Sequence, residues 1–271
     1  VDVLVVDEAG QMSLANVVAA AQAARSVILL GDPQQLEQPL QGSHPEGTAV
    51  SALHHVLGGH QTIPDGKGLF LAETWRLHPR LCAFTSDVFY EGKLQSRAGL
   101  DRQALIGPPP FAGAGLHFVS VAHEGNQNLS IEEVDVVERL VRDLTQSYSW
   151  RDKDDEVHSL QLRDVLIVAP YNAQVTAIEE RIAGARVGTV DRFQGQEAPV
   201  VICSMATSSA DEAPRGMEFL YSLNRLNVAT SRARCAVILV ASPRLFEPDC
   251  QSPRQMRLAN AFCRYLELAS K

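Results

Sequence analysis

Two apolar runs near the start of the chain, VLVV at 3–6 and SVILL at 26–30, are continuous and flank a helical pattern at 13–24. No other feature restricts the fold as much. A strand that is apolar at successive positions has both faces covered, and that arrangement belongs to parallel sheets wrapped by helices. The first strand, read over 2–6, and the second are then neighbours joined by a crossover helix, right-handed by default. Two strands make a marginal sheet alone, so this opening reads as the tail of a larger sheet whose other strands belong to the undivided protein.

The alternation returns later. Strands are expected at 116–121, 165–169, 186–189, 200–204 and 236–241, with helices at 77–90, 172–182, 223–231 and 253–268. Ser130 followed three residues on by Glu133 is a capping-box signature that opens a long amphipathic helix. Residues 38–68 are rich in Gly, Pro, His and Ser and read as linker with one short helical pattern at 50–57, and the charged stretch 151–156 reads as a solvated loop. The fold class that follows is α/β, a parallel sheet covered by helices. We divide it into residues 1–68, the remnant of a first domain with its linker, and residues 69–271, a second domain.

With 271 residues, 45% of them hydrophobic, the chain can bury a sizeable core. Its net charge of -8 excludes coating nucleic acid by bulk electrostatics and confines any such binding to a local groove. No apolar run approaches about 18 residues and no export signal is visible, so no membrane partner is expected and the default setting is cytoplasmic. The five cysteines form no C-x-x-C pair and read as reduced thiols, and the histidines form no metal spacing.

Several blocks carry chemistry. Asp7 and Glu8 end the first strand, at the carboxyl edge where ligands gather in open α/β sheets. Gly31-Asp32-Pro33-Gln34-Gln35-Leu36 ends the next strand, so the two loops should lie side by side. Further on come Glu73-Thr74-Trp75-Arg76-Leu77-His78-Pro79, Pro170-Tyr171-Asn172-Ala173-Gln174, the string from Val187 through Phe193-Gln194-Gly195-Gln196-Glu197, and Asn224-Arg225-Leu226-Asn227-Val228-Ala229-Thr230-Ser231-Arg232-Ala233-Arg234. Read singly, each also fits a plain turn, a helix cap or a basic helix end. One block is missing: G-x-x-x-x-G-K-[ST] occurs nowhere, and Gly66-Lys67-Gly68 lacks both the leading glycine and the trailing hydroxyl.

In this order the blocks resemble motifs II to VI of superfamily 1 helicases, in the branch of the nonsense-decay and senataxin-type enzymes, whose domains are RecA-like P-loop NTPase folds. The resemblance covers nearly the whole chain. It implies ATP and Mg2+ as cofactors, with Asp7 holding the metal through water, Glu8 polarising the attacking water and Gln35 sensing the γ-phosphate. It assigns Arg76 and Arg232 to the phosphates from the second domain, Arg232 as the arginine finger, and places Trp75, Gln194, Gly195 and Glu197 around the nucleotide. Tyr171, Asn172, Gln174 and Thr207 would face a single strand, DNA ahead of RNA, with movement by family likeness 5′ to 3′. The phosphate loop would come from the N-terminal RecA-like half of the same protein, which in some bacterial relatives carries a fused nuclease; this chain alone would then be inactive. A different class of reading stays open: a non-enzymatic nucleic-acid-binding or scaffold module with idle motifs.

Overall fold

The computed structural model describes residues 1–36, 45 and 47–269. Strand β1 (Val3–Val6), helix α1 (Leu14–Ala21) and strand β2 (Ser26–Leu29) form the expected βαβ unit, paired in parallel from Val3 opposite Ser26 to Val6 opposite Leu29. Ser13 caps α1, its hydroxyl accepting from the Asn16 amide, so the helix starts one residue later than its cap. Helix α2 (Ala52–Leu57) follows, and a small core of Val6, Ala9, Val17, Ala52 and Leu53 lies among these elements. The other side is uncovered: Val3 and Val5 are 50% and 55% exposed. The linker expected from residue 38 falls partly at 38–44 and 46, outside the described residues.

Strand β3 (Glu73–Thr74) leads into helix α3 (Pro79–Phe89). The helix was expected from 77, but a residue preceding proline is pushed out of the helical region, so His78 becomes the cap, its Nδ1 accepting from the Arg80 amide at 3.0 Å. Strand β4 (Gln95–Ser96) pairs with β3, and β5 (Ala104–Ile106) precedes β6 (Gly115–Ser120). The long amphipathic helix is α4 (Ile131–Ser147). Then come β7 (Ser149–Arg151), β8 (Val157–Ser159), β9 (Val165–Val168), α5 (Asn172–Arg181), β10 (Arg186–Gly188), β11 (Ala198–Ser204), α6 (Met217–Leu220), α7 (Leu223–Thr230), β12 (Ala233–Ala241) and α8 (Pro253–Ala269).

The main sheet has five parallel strands in the order β10-β9-β11-β12-β6. Side chains alternate across it with period two. Val165, Ile167, Val200, Ile202, Ala236, Ile238 and Val240 face α4 and α5. Leu166, Val168, Val201, Cys203, Val237 and Leu239 face α3, α7 and α8. Both faces are dry, as the continuous apolar runs required. The solvated loop expected at 151–156 is, from 152, the mostly exposed turn of an antiparallel hairpin that was not expected, since β7 pairs with both β5 and β8. Three-residue strands next to charged turns are too short to show a period.

Candidate functional site

Two glycines bring the first pair of loops into contact. A Cβ on Gly10 would stand 2.3 Å from the Asp32 carbonyl oxygen, and one on Gly31 would stand 2.8 Å from the Ala9 nitrogen. Only a residue without a side chain lets backbones meet so closely. The Ala9 amide then reaches the Leu30 carbonyl at 2.8 Å, and Asp7, Glu8, Asp32 and Gln35 share one edge. Asp7 and Glu8 are both exposed. Glu8 has φ 53°, in the left-handed region, a strained placement of the kind found at functional sites. The Asp32 carboxylate organises its own loop, accepting from the Gln34 amide at 2.9 Å and the Gln35 side chain at 3.0 Å.

Across from them lie the arginines. All of these groups belong to the amino-terminal edge of the five-stranded sheet, where β11 and β12 begin. Arg76 donates to Glu197 and, at 3.1 Å, to the carbonyl of Ser231, the residue directly before Arg232. Arg234 also donates to Glu197. Glu197, expected beside the nucleotide, is therefore the shared counter-ion of two arginines. Burial alone would raise its pKa, yet the bonds and charges of Arg76 and Arg234 outweigh that and hold it below the ordinary carboxylate value.

Arg232 is different. It is 4% exposed, and neither Nε nor Nη2 has a hydrogen-bond partner. Burial, and next the positive charge of Arg76, lower its pKa, while Asp32 and Glu8 partly offset them. A buried guanidinium with two free donors, facing the fields of Asp32, Glu8 and Arg76, has the electrostatic character of an anion site. The Arg232 guanidinium thus lies within the fields of two carboxylates of the first unit, Asp32 and Glu8. Gln194 is half-buried and Gly195 exposed, with φ 76°, in the loop before β11. Trp75 is 64% exposed with the Arg97 guanidinium 3.3 Å over its ring. The Lys67 amine donates to the Val56 carbonyl at 2.8 Å.

The strand-facing candidates sit at the opposite, carboxyl-terminal edge, and the structure separates them. Tyr171 is the cap residue of α5 with no side-chain cap bond, and its buried hydroxyl has no partner. Asn172 follows, exposed, at the uncapped helix start, a geometry suited to an anion. Gln174 and Thr207 are both fully buried. Gln174 accepts from the Ser130 amide at 2.8 Å and donates to Ser204 Oγ at 2.8 Å and the Ser130 carbonyl at 3.3 Å, while the Thr207 hydroxyl donates to the Gln127 carbonyl at 2.6 Å. Both Gln174 amide hydrogens are committed, and its oxygen accepts one of the two bonds it can take.

The reason is a network invisible in the sequence. Ser130 does cap α4, accepting from the Glu133 amide at 3.2 Å. The reciprocal half of the expected box is absent, because the Glu133 carboxylate turns inward. It accepts from His123 Nε2 at 2.9 Å, Ser204 Oγ at 2.7 Å and the Ala206 amide at 2.9 Å. His123 Nδ1 lies 2.7 Å from Ser208 Oγ. Together they pin the loops after β6 and β11, including Ala206 at φ 64°. One grouping with metal-ligand geometry does occur among the described residues, Asp152, Glu156 and His158, contrary to the expectation for the histidines. Asp152 Oδ1 there accepts two amides of its own hairpin turn.

Two family models match the chain. Residues 51–244 match the model of an AAA domain, and residues 1–63 match that of the viral superfamily 1 RNA helicase core domain. The probable helicase MAGATAMA 3 of Arabidopsis thaliana is 24% identical over 92% of this chain and 31% of its own length. ATP-dependent helicase upf1 of Schizosaccharomyces pombe is 27% identical over 89% of this chain and 27% of its own, and human probable helicase senataxin is 26% identical over 88% and 9%. The chain thus spans about a third or less of the length of these relatives. Among solved structures, Arterivirus nonstructural protein 10 (helicase) aligns with a TM-score of 0.44 at 16% identity, over 87% of this chain and 38% of that one. Among the described residues, no helix is long and apolar enough to cross a membrane.

Proposed function

Because this chain belongs to the AAA-domain family, in its superfamily 1 helicase form, we propose that it is the carboxyl-terminal portion of an ATP-dependent translocase on single-stranded nucleic acid. One observation carries the reading: the buried, unsatisfied guanidinium of Arg232 beside Arg76, opposite Glu8 and Asp32. Free donors in a dry crevice cost stability, and they are worth keeping when an anion with developing charge completes them. A triphosphate is that anion. A finger arginine in such a place contributes about 10³ to 10⁵ in turnover.

In this reading Arg76 and Arg232 hold the terminal phosphate from one side. Glu8 orients the attacking water, and the exposed Asp7 carboxylate holds magnesium through its water shell. Magnesium, when bound, neutralises phosphate charge. Gln35, fixed by Asp32, reports the state of the phosphate to its loop, and Trp75, Gln194 and Gly195 border the nucleotide. Glu197 keeps Arg76 and Arg234 in register. Asn172, the start of α5 and Tyr171 form the strand contact at the far edge, with Gln174 and Thr207 bracing it from beneath.

We divide the chain, as above, into 1–68 and 69–271. The phosphate cradle is supplied in this proposal by another RecA-like segment of the same protein, which is supported by the half-exposed apolar side chains on β1 and β2 and by the absence of a phosphate-loop motif from these residues. A cytoplasmic setting is supported by five free cysteines.

The test is ATP hydrolysis by the full-length protein with and without single-stranded DNA and RNA. Strand-stimulated turnover is expected, DNA ahead of RNA, and none above background from residues 1–271 alone. Full-length protein that binds strands without hydrolysing ATP would refute the motor and support the scaffold reading.

A further inference from the structure

The sixth-motif helix and the third-motif loop are joined by a residue from neither. Asp32 belongs to the loop after β2, Asn227 to α7, and Tyr90 to the end of α3. The Tyr90 hydroxyl donates to Asp32 Oδ2 at 2.6 Å and accepts from Asn227 Nδ2 at 2.9 Å. The second hydrogen of the same amide goes to the Gln34 carbonyl at 3.0 Å, and Asn224, one turn earlier on α7, donates to the Gln35 carbonyl. Every hydrogen on Tyr90 Oη and Asn227 Nδ2 is thereby committed.

We propose that Tyr90 is a positioning residue, a latch whose hydroxyl holds the Asp32 loop against α7 when the cleft is shut and so sets Arg232 in place for turnover. This rests on the ATPase reading above. Two of the latch's three groups, Tyr90 and Asn227, lie on the same side of the cleft, so their mutual bond persists when it opens. The bond to Asp32 crosses the cleft and exists only when it is closed. It is also the stronger one, because its acceptor is a carboxylate in a mostly dry setting.

The tyrosine is built to hold that position. It is 8% exposed and its ring lies 6.1 Å from that of Phe70. The helix ends under it: the Tyr90 amide still bonds the Ser86 carbonyl, while Glu91 turns to φ 53°. Burial, and then the charge of Asp32, raise the phenol far above its ordinary pKa, so it remains a donor at any working pH. The same Asp32 acts on Arg232 electrostatically, and Arg232 lies five residues beyond Asn227, just past the end of α7.

The experiment replaces Tyr90 by Phe in the full-length protein, which removes one oxygen and keeps the ring. Expected is a fall in kcat of about 10- to 100-fold, the range for a hydrogen bond to a charged group, with the KM for ATP changed less than threefold. A dye pair, one on each side of the cleft, should show closure by a non-hydrolysable ATP analogue in the wild type and a reduced amplitude in Tyr90→Phe. The double variant with Asp32→Asn should be no worse than the poorer single variant, because both remove one bond. A Tyr90→Phe enzyme with wild-type kcat and closure overturns the latch, as does strict additivity with Asp32→Asn. If Tyr90→Phe does not fold, Tyr90→Leu carries the same kcat and closure test, since it too removes the hydroxyl and leaves the bonds of Asp32 to Gln34 and Gln35 in place. A wild type without ATPase refutes the function itself, so the two failures are distinct.

Discussion

Replacing Arg232 by Met separates what the residue costs the fold from what it gives the reaction. The side chain is 4% exposed, and two of its N–H groups are unsatisfied. Each unsatisfied buried donor costs about 1–3 kcal/mol, and its pKa is lowered by burial first and Arg76 second. The sign follows from linkage. A base whose folded pKa lies below its unfolded value destabilises the fold at every pH below that folded pKa, so across the neutral range the penalty is fully present. Met fills a similar volume without charge. Allowing for the attraction of Asp32 and Glu8 that is lost with it, a net gain of about 1–3 kcal/mol is expected, in line with replacements of buried ionic groups by apolar ones. For a chain of this size that is a rise in Tm of about 2–10 °C, read by calorimetry on residues 1–271. The full-length variant should lose turnover by about 10³-fold or more. A variant that melts lower than the wild type would refute the claim that the guanidinium is uncompensated, and unchanged turnover would remove it from the finger role.

Two more perturbations test the neighbouring geometry. Glu197→Gln should lower Tm at pH 7, because both Arg76 and Arg234 lose their counter-ion; since the Glu197 pKa is depressed in the fold, the difference from wild type should be present above about pH 4.5 and fade as pH falls through the folded value, and a pH-independent difference would exclude this pairing as its cause. Glu133→Ala should cost about 3–5 kcal/mol in urea denaturation, because His123, Ser204 Oγ and the Ala206 amide all lose a buried acceptor, and a loss under about 1 kcal/mol would mean that water replaces the carboxylate.

Much of the fold is legible in the residues because the strands of a parallel sheet covered on both faces are apolar throughout. That is why VLIV at 165–168 and the apolar run within β12 are recognisable without coordinates. The hairpin of β7 and β8 is not, since three-residue strands with Arg151 and His158 in them carry no period. Asp7, Glu8, Arg76 and Arg232 are visible as motif residues, and the structure sets Arg232 within the fields of Arg76, Asp32 and Glu8. Gln174 and Thr207 look like ligand contacts because they are polar and follow core strands. That both are buried depends on what packs over them and is not legible in the sequence.

The order of residues along this chain settled most of which segments become strand and helix and which blocks match helicase motifs, because periodicity and short-range motifs are local properties. Pairing between distant groups was decided in three dimensions. Tyr90 and Asp32 are 58 positions apart, and His123 and Ser208 are 85. Nothing in their sequence neighbourhoods encodes those partners, since a hydrogen bond a few ångströms long forms only after packing has brought the two backbones together.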